Sequence, residues 1–231
     1  MNGYPANPAR LGIRPAPALV QQLLVGAFGW MFAGLLLTAG VSYFVTTSTG
    51  LTATVSNSWF ILLIGQFALA MVIQGAINRV SPMVSLLLFF VYAATMGLTI
   101  GIIVQFYTPG SVVGAFVSSS AMFGAAAIYG KVTKRDLTKI GSMAFMALIG
   151  IMVAMLVNFF LKSSSVSWLI SIVGVGIFVV LTAWDVQRIA NGQLAAIMKS
   201  AERATIYAAF QLYLDFINLF LFMLRLFGSR R

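Results

Sequence analysis

Seven apolar runs, at residues 22–46, 57–78, 83–105, 111–130, 141–161, 166–189 and 205–226, divide this chain. Each is near the length, ~20 residues, that an α-helix needs to cross the hydrocarbon core of a bilayer. In lipid a backbone must satisfy its own hydrogen bonds, so runs of this kind can cross only as helices. The sequence therefore predicts an all-α integral membrane protein with seven transmembrane helices. Helix-ending chemistry falls between the runs, at Ser81-Pro82, Pro109-Gly110, Ser163 to Ser165 and Asn191-Gly192. The connections are short, so residues 21–231 read as a single seven-helix domain and the Pro- and Ala-rich residues 1–20 as a cytosolic tail. No signal-peptide cleavage pattern follows the first run, which is expected to stay as an anchor. No repeat of fixed period is visible, so repeat-built transporters gain no support.

Composition decides which chemistries such a bundle can carry. The chain is 61% hydrophobic and 8% charged, with no cysteine and no histidine. Disulfides, thiolate metal sites and cysteine nucleophiles are excluded, and so are the commonest proton shuttle and zinc ligand. Only four acidic residues occur, Asp136, Asp185, Glu202 and Asp215, and two of them fall inside or at the edge of apolar runs. No cofactor motif is present.

Lysine and arginine set the orientation. The amino tail and the turns after the second, fourth and sixth spans hold ten: Arg10, Arg14, Arg79, Lys131, Lys134, Arg135, Lys139, Arg188, Lys199 and Arg203. The other side holds four: Lys162, Arg225, Arg230 and Arg231. The amino terminus is therefore expected inside and the carboxyl terminus outside. The net charge of +10 serves insertion and attraction to the anionic headgroups of the lipid bilayer. A nucleic-acid partner would need a soluble basic face, and none exists.

Asp215 sits in the middle of the last span. At 100° per residue, Tyr207, Gln211, Asp215, Asn218 and Arg225 fall within about 80° of one another on a single face. Lipid cannot solvate such a stripe, so this helix is expected to turn it toward other helices or water. On the sixth span Ser171, Gly174, Phe178, Thr182 and Asp185 share a small, polar-edged face. Counted from the inner helix ends, Asp185 lies about 9 Å deep and Asp215 about 15 Å deep, so the two carboxylates can meet. Two carboxylates in a dry site cannot both ionise cheaply, and such a pair titrates as a unit. A structural reading stands beside this one: Asp185 pairs with Arg188 one turn on, and Asp215 bonds Gln211 or a neighbouring helix. Gln66, Gln74 and Asn158 read as interhelical polar contacts, and Gly114, Ser118 and Gly124 as a close-packing face. The basic turn from Lys131 to Lys139 reads chiefly as an orientation signal.

Three blocks, "YGKVTKRDLTKIG" (129–141), "LTAWDVQRI" (181–189) and "LYLDFINLFLFMLRLFG" (212–228), resemble in order the bacterial branch of the Bax inhibitor-1 family. The resemblance covers everything after the amino tail. It implies six helices around a central seventh and a pH-sensitive calcium leak in the membrane, expected in a bacterial inner membrane. It also implies a di-aspartyl pH sensor at Asp185 and Asp215 and an arginine latch for which Arg79 is the nearest match, with Arg188 as a second candidate. The partners so implied are calcium ions, bound weakly and transiently by the two aspartates, and protons. A membrane-protein partner is a further expectation, since some family members are thought to act by helix contacts. Members often carry a glutamate in the second span, where this chain offers only Gln66 and Gln74.

Other seven-helix and intramembrane classes fit less well. A retinal pump needs a lysine in its last helix, and no lysine lies well inside a span. Intramembrane serine proteases commonly use histidine. For an intramembrane aspartyl protease, Thr182-Ala183-Trp184 stands where a Gly-x-Gly block would precede the aspartate. The chain is therefore read as a non-enzyme. A proton-coupled transporter and a membrane regulator acting on a partner such as a membrane protease stay open as alternatives.

Overall fold

A computed structural model of the chain describes residues 16–198 and 200–229. Arg10, Arg14, Lys199, Arg230 and Arg231, counted above for orientation, and most of the expected amino tail lie outside the described residues. Among the described residues, seven helices are long and apolar enough to span a membrane: α1 (Pro17–Thr47), α3 (Trp59–Ala76), α4 (Pro82–Val104), α5 (Pro109–Val132), α6 (Thr138–Leu161), α7 (Ser164–Ala190) and α9 (Ala201–Phe227). Two short helices, α2 (Thr49–Asn57) and α8 (Gln193–Ile197), occupy segments expected as turns. The molecule is an all-α integral membrane protein, with no strand among the described residues.

Local chemistry fixes the helix ends. The Ser81 and Thr108 hydroxyls accept from the Val84 and Ser111 amides, with Pro82 and Pro109 opening α4 and α5. There the missing proline N–H costs nothing. Pro17 likewise starts α1, five residues ahead of the apolar run it carries. Lys162 closes α6 in the left-handed region at φ 51°, and Gly192 turns the chain at φ 68°.

Contacts divide the chain into two compact units, which share α9. In the first, α1 to α4 associate with Asn191–Tyr213. α1 lies along α4, where a Cβ on Gly97 or Gly101 would meet Val41 or Val45. Phe89 and Tyr92 of α4 meet Phe210 and Tyr213 of α9 edge-on. The second unit holds Thr108–Ala190 and α9 from Leu214 onward. There α5 and α6 both pack on α7, and Phe116 and Phe123 of α5 meet Phe216 of α9.

Burial sorts the helices by what surrounds them. In the most hydrophobic stretches of α3 and α6, 11% and 17% of residues are buried, and their exposed faces are Phe, Ile, Leu and Met suited to acyl chains. In α9 the share is 72%. The last helix is thus the span least available to lipid, which is what an aspartate at its middle requires.

Candidate functional site

The small face of α7 is where the two aspartates come together. Ser171, Gly174, Phe178, Thr182 and Asp185, one stripe at helical spacing, are all buried. A Cβ on Gly174 would lie 2.7 Å from the Phe222 ring of α9, and Phe178 and Phe222 have ring centroids 5.9 Å apart. A glycine here lets α9 approach, and about two turns further along α7 the Thr182 hydroxyl sits beside the Asp215 carboxyl.

Asp185 is 6% exposed and Asp215 5% exposed, and the first acts electrostatically on the second. Their surroundings differ. One Asp185 oxygen, Oδ1, accepts from Arg188 Nη1 at 3.0 Å, and the same guanidinium lies 4.8 Å above the Trp184 ring. The partner named by the structural reading is therefore present, braced from the far side by a cation–π contact. Asp215 Oδ2 is buried with no hydrogen-bond partner. Thr182 spends its only hydroxyl hydrogen on the Phe178 carbonyl at 2.7 Å.

Of the five polar residues expected on one face of α9, only Asp215 is buried. Tyr207, Gln211 and Asn218 are half-buried and Arg225 is exposed. Asn218 donates to the Leu214 carbonyl of its own helix at 2.8 Å. Arg79 lies exposed in the turn after α3, within the first unit, whereas both aspartates belong to the second. Gln66 behaves as expected, bridging the Thr95 carbonyl and the Thr99 hydroxyl at 2.8 and 2.7 Å, while Gln74 is exposed. Gly114 and Gly124 do not pack closely, because nothing lies within 4 Å of a Cβ built on either. The buried small residues of α5 are instead Ala115, Ser119, Ala126, Ala127 and Gly130.

Two residues matter more than their sequence context suggests. Gln187, two positions after Asp185, accepts from the Leu137 amide at 2.8 Å and donates to the Arg135 carbonyl at 2.7 Å. It ties the basic α5–α6 turn to α7. Arg203, counted above only as an orientation charge, donates to the Val80 carbonyl at 2.9 Å and so holds the α3–α4 turn. A glutamine within a charged block and an arginine at a helix start carry no sequence signal that separates these roles from a solvated surface.

Among the described residues no three carboxylates gather into a metal cluster. Two carboxylates fall well short of the six to eight oxygens of a calcium cage, so backbone carbonyls and water would have to supply the rest.

The helices and this buried acid pair define a seven-span membrane protein with paired carboxylates inside its spanning segments. The chain belongs to the Bax inhibitor-1 family: the model of the family described as "Inhibitor of apoptosis-promoting Bax1" matches residues 20–231. It is 43% identical to the "Inner membrane protein YbhL" of Escherichia coli over 225 residues, which cover 95% of this chain and 96% of that protein. It is 42% identical to a protein of Deinococcus radiodurans over 212 residues, with 91% and 92% of the two chains covered. A protein of Borreliella burgdorferi is 40% identical over 215 residues, covering 91% and 93%.

Proposed function

We propose that the chain is a pH-sensitive calcium leak of a bacterial inner membrane, gated by protonation of the Asp185–Asp215 pair. The observation that carries this reading is the buried Asp215 oxygen without a partner, held beside a second aspartate that already has one. With one proton on the pair, Arg188 balances the single negative charge that remains. Gain or loss of that proton changes the charge of a buried cluster by one unit, from balanced against Arg188 to unbalanced. The imbalance is relieved by moving α7 against α9, which makes room for water and a passing cation. Two carboxylates with carbonyls and water bind calcium weakly, and weak binding suits passage.

The similarity to an inner membrane protein supports the location. The lysine and arginine distribution supports a cytoplasmic amino terminus and an outside carboxyl terminus. In this reading Arg188 is the latch on the acid pair, and transport proceeds without a catalytic step. The Asp185–Arg188 pair also supports a second reading, in which Asp185 only fixes helix structure.

Purified wild type, Asp185→Asn and Asp215→Asn in liposomes loaded with a calcium dye test the proposal. Wild-type flux is expected to change as pH is stepped through neutrality, and the folded Asp215→Asn variant to lose that dependence. A folded Asp185→Asn variant with wild-type behaviour assigns Asp185 the structural role. Proton uptake without calcium flux would move the chain to the transporters. If neither ion passes at any pH, action on a membrane-protein partner becomes the better account.

A further inference from the structure

At the end of the second unit where α6 turns into α7 and α9 finishes, a cavity of about 700 Å³ opens. Asn158, Lys162, Ser164, Ser167, Trp168 and Arg225 are among the residues that line it. The chain has four acidic residues, Asp136, Asp185, Glu202 and Asp215, and none of them lines this cavity. Among the described residues neither Lys162 nor Arg225 is in a salt bridge, and the Arg225 guanidinium contacts only the Met155 sulfur, at 4.0 Å. Two cations thus face one cavity with no acidic partner among the described residues.

The wall is pre-organised. Asn158 donates to the Ser163 carbonyl and to Ser167 Oγ, at 3.2 and 2.7 Å, and accepts from the Ser163 amide at 3.1 Å. Its amide is fully used, so it frames the turn. Ser167 receives that bond and keeps its own hydroxyl hydrogen to give. Lys162, in the left-handed region, closes the turn by donating its backbone N–H to the Asn158 carbonyl at 2.8 Å.

Position along the helices identifies the occupant. Phe159, Phe160 and Leu161 are 72%, 75% and 64% exposed, a surface made for acyl chains, and the run stops at Lys162. Trp168 is 58% exposed on the facing helix, a residue type that collects at the boundary between hydrocarbon and headgroups. Apolar surface on one side and paired cations with a hydroxyl donor on the other match an amphiphile with an anionic head. We infer that this cavity binds the phosphodiester headgroup of an anionic phospholipid, with Lys162 and Arg225 on the phosphate and the acyl chains along Phe159 to Leu161.

The test is native mass spectrometry of the purified full chain titrated with phosphatidylglycerol or phosphatidylcholine, with Lys162→Asn/Arg225→Gln as the variant. Asparagine is chosen at 162 because it tolerates positive φ. Wild type is expected to retain phosphatidylglycerol in preference to phosphatidylcholine. Each interfacial cation contributes roughly fivefold, so the double variant should bind it roughly twenty-five-fold more weakly. The charge-conserving Lys162→Arg/Arg225→Lys variant should keep the preference, which separates loss of charge from loss of fold. Equal retention of the two lipids, or an unchanged preference in the charge-removing variant, overturns the proposal. Displacement by soluble glycerol 3-phosphate at equal concentration also overturns it, assigning the cavity to a free phosphate compound.

Discussion

Arg188 holds the Asp185 carboxylate at 3.0 Å from one turn further along α7, while its guanidinium lies against Trp184. The pair is asymmetric, because the arginine side chain is 17% exposed and the aspartate 9%. Removing the arginine strands an acid, whereas removing the acid leaves a cation that can reach toward headgroups over an aromatic face. Arg188→Gln is expected to cost about 1.5–3 kcal/mol. Asp185→Asn should cost less, and adding it to Arg188→Gln should recover most of the loss. Thermal unfolding of the four proteins in detergent, closed as a double-mutant cycle, checks this.

Thr38 and Tyr213 give a second asymmetric pair, inside the first unit. Their hydroxyls lie 2.7 Å apart, and Thr38 also donates to the Ala93 carbonyl at 2.9 Å. The phenol must then be the donor between them. Tyr213→Phe deletes that donor and leaves Thr38 still bonded, at a cost of about 0.5–1.5 kcal/mol. Thr38→Val orphans a phenol that is fully buried, along with a carbonyl oxygen, and should cost about 1–3 kcal/mol. If the phenylalanine variant proves the weaker of the two in thermal unfolding, the donor assignment is reversed.

Gln187 makes a prediction readable by protease. Its side-chain amide satisfies the Leu137 N–H and the Arg135 carbonyl together. Gln187→Leu keeps the bulk but releases both groups, so the turn should open to solvent. Trypsin is expected to cut after Lys134 or Arg135 severalfold faster than in wild type, and exchange at the Leu137 amide should rise. Unchanged cleavage with unchanged exchange would mean that the turn is held elsewhere.

What the sequence disclosed follows from how each feature is encoded. The spans were legible because length and hydropathy are sufficient for them, and α2 and α8 were not because neither is long enough to leave a periodic signal. The face carrying Asp185 was legible from the 100° step alone, and Arg188 from its place one turn on, whereas of the polar stripe on α9 only Asp215 is buried, because the residues that surround a helix are not written in its own periodicity. The bond between Thr38 and Tyr213 joins residues 175 positions apart, each an ordinary hydroxyl in an apolar run. Only packing reveals such a pair. The spacing of Gly114, Ser118 and Gly124 marked one face of α5 but could not say what lies opposite, and beside both glycines there is open space.

The glycine that does meet a neighbour on α5 is Gly130, where a Cβ would run into the backbone carbonyl of Ala183. On α6, a Cβ on Gly141 would run into the Trp184 ring. These two glycines set α5 and α6 against α7 just before Asp185, so the position of the acid depends on close approach from both sides. A backbone oxygen cannot swing away as a side chain can, and Gly130→Ala must displace α7. The variant should lose about 1–3 kcal/mol of stability. On the proposed mechanism it should also alter the pH dependence of calcium flux while both aspartates are intact. Gly124→Ala, on the same helix with space around it, should be neutral or gain about 0.5–1 kcal/mol from helix propensity. Comparing the two variants in detergent melts and in liposomes separates a general effect of adding a methyl to α5 from displacement of α7 at the acid pair. Equal behaviour of the two would show that the Gly130 contact does not position Asp185.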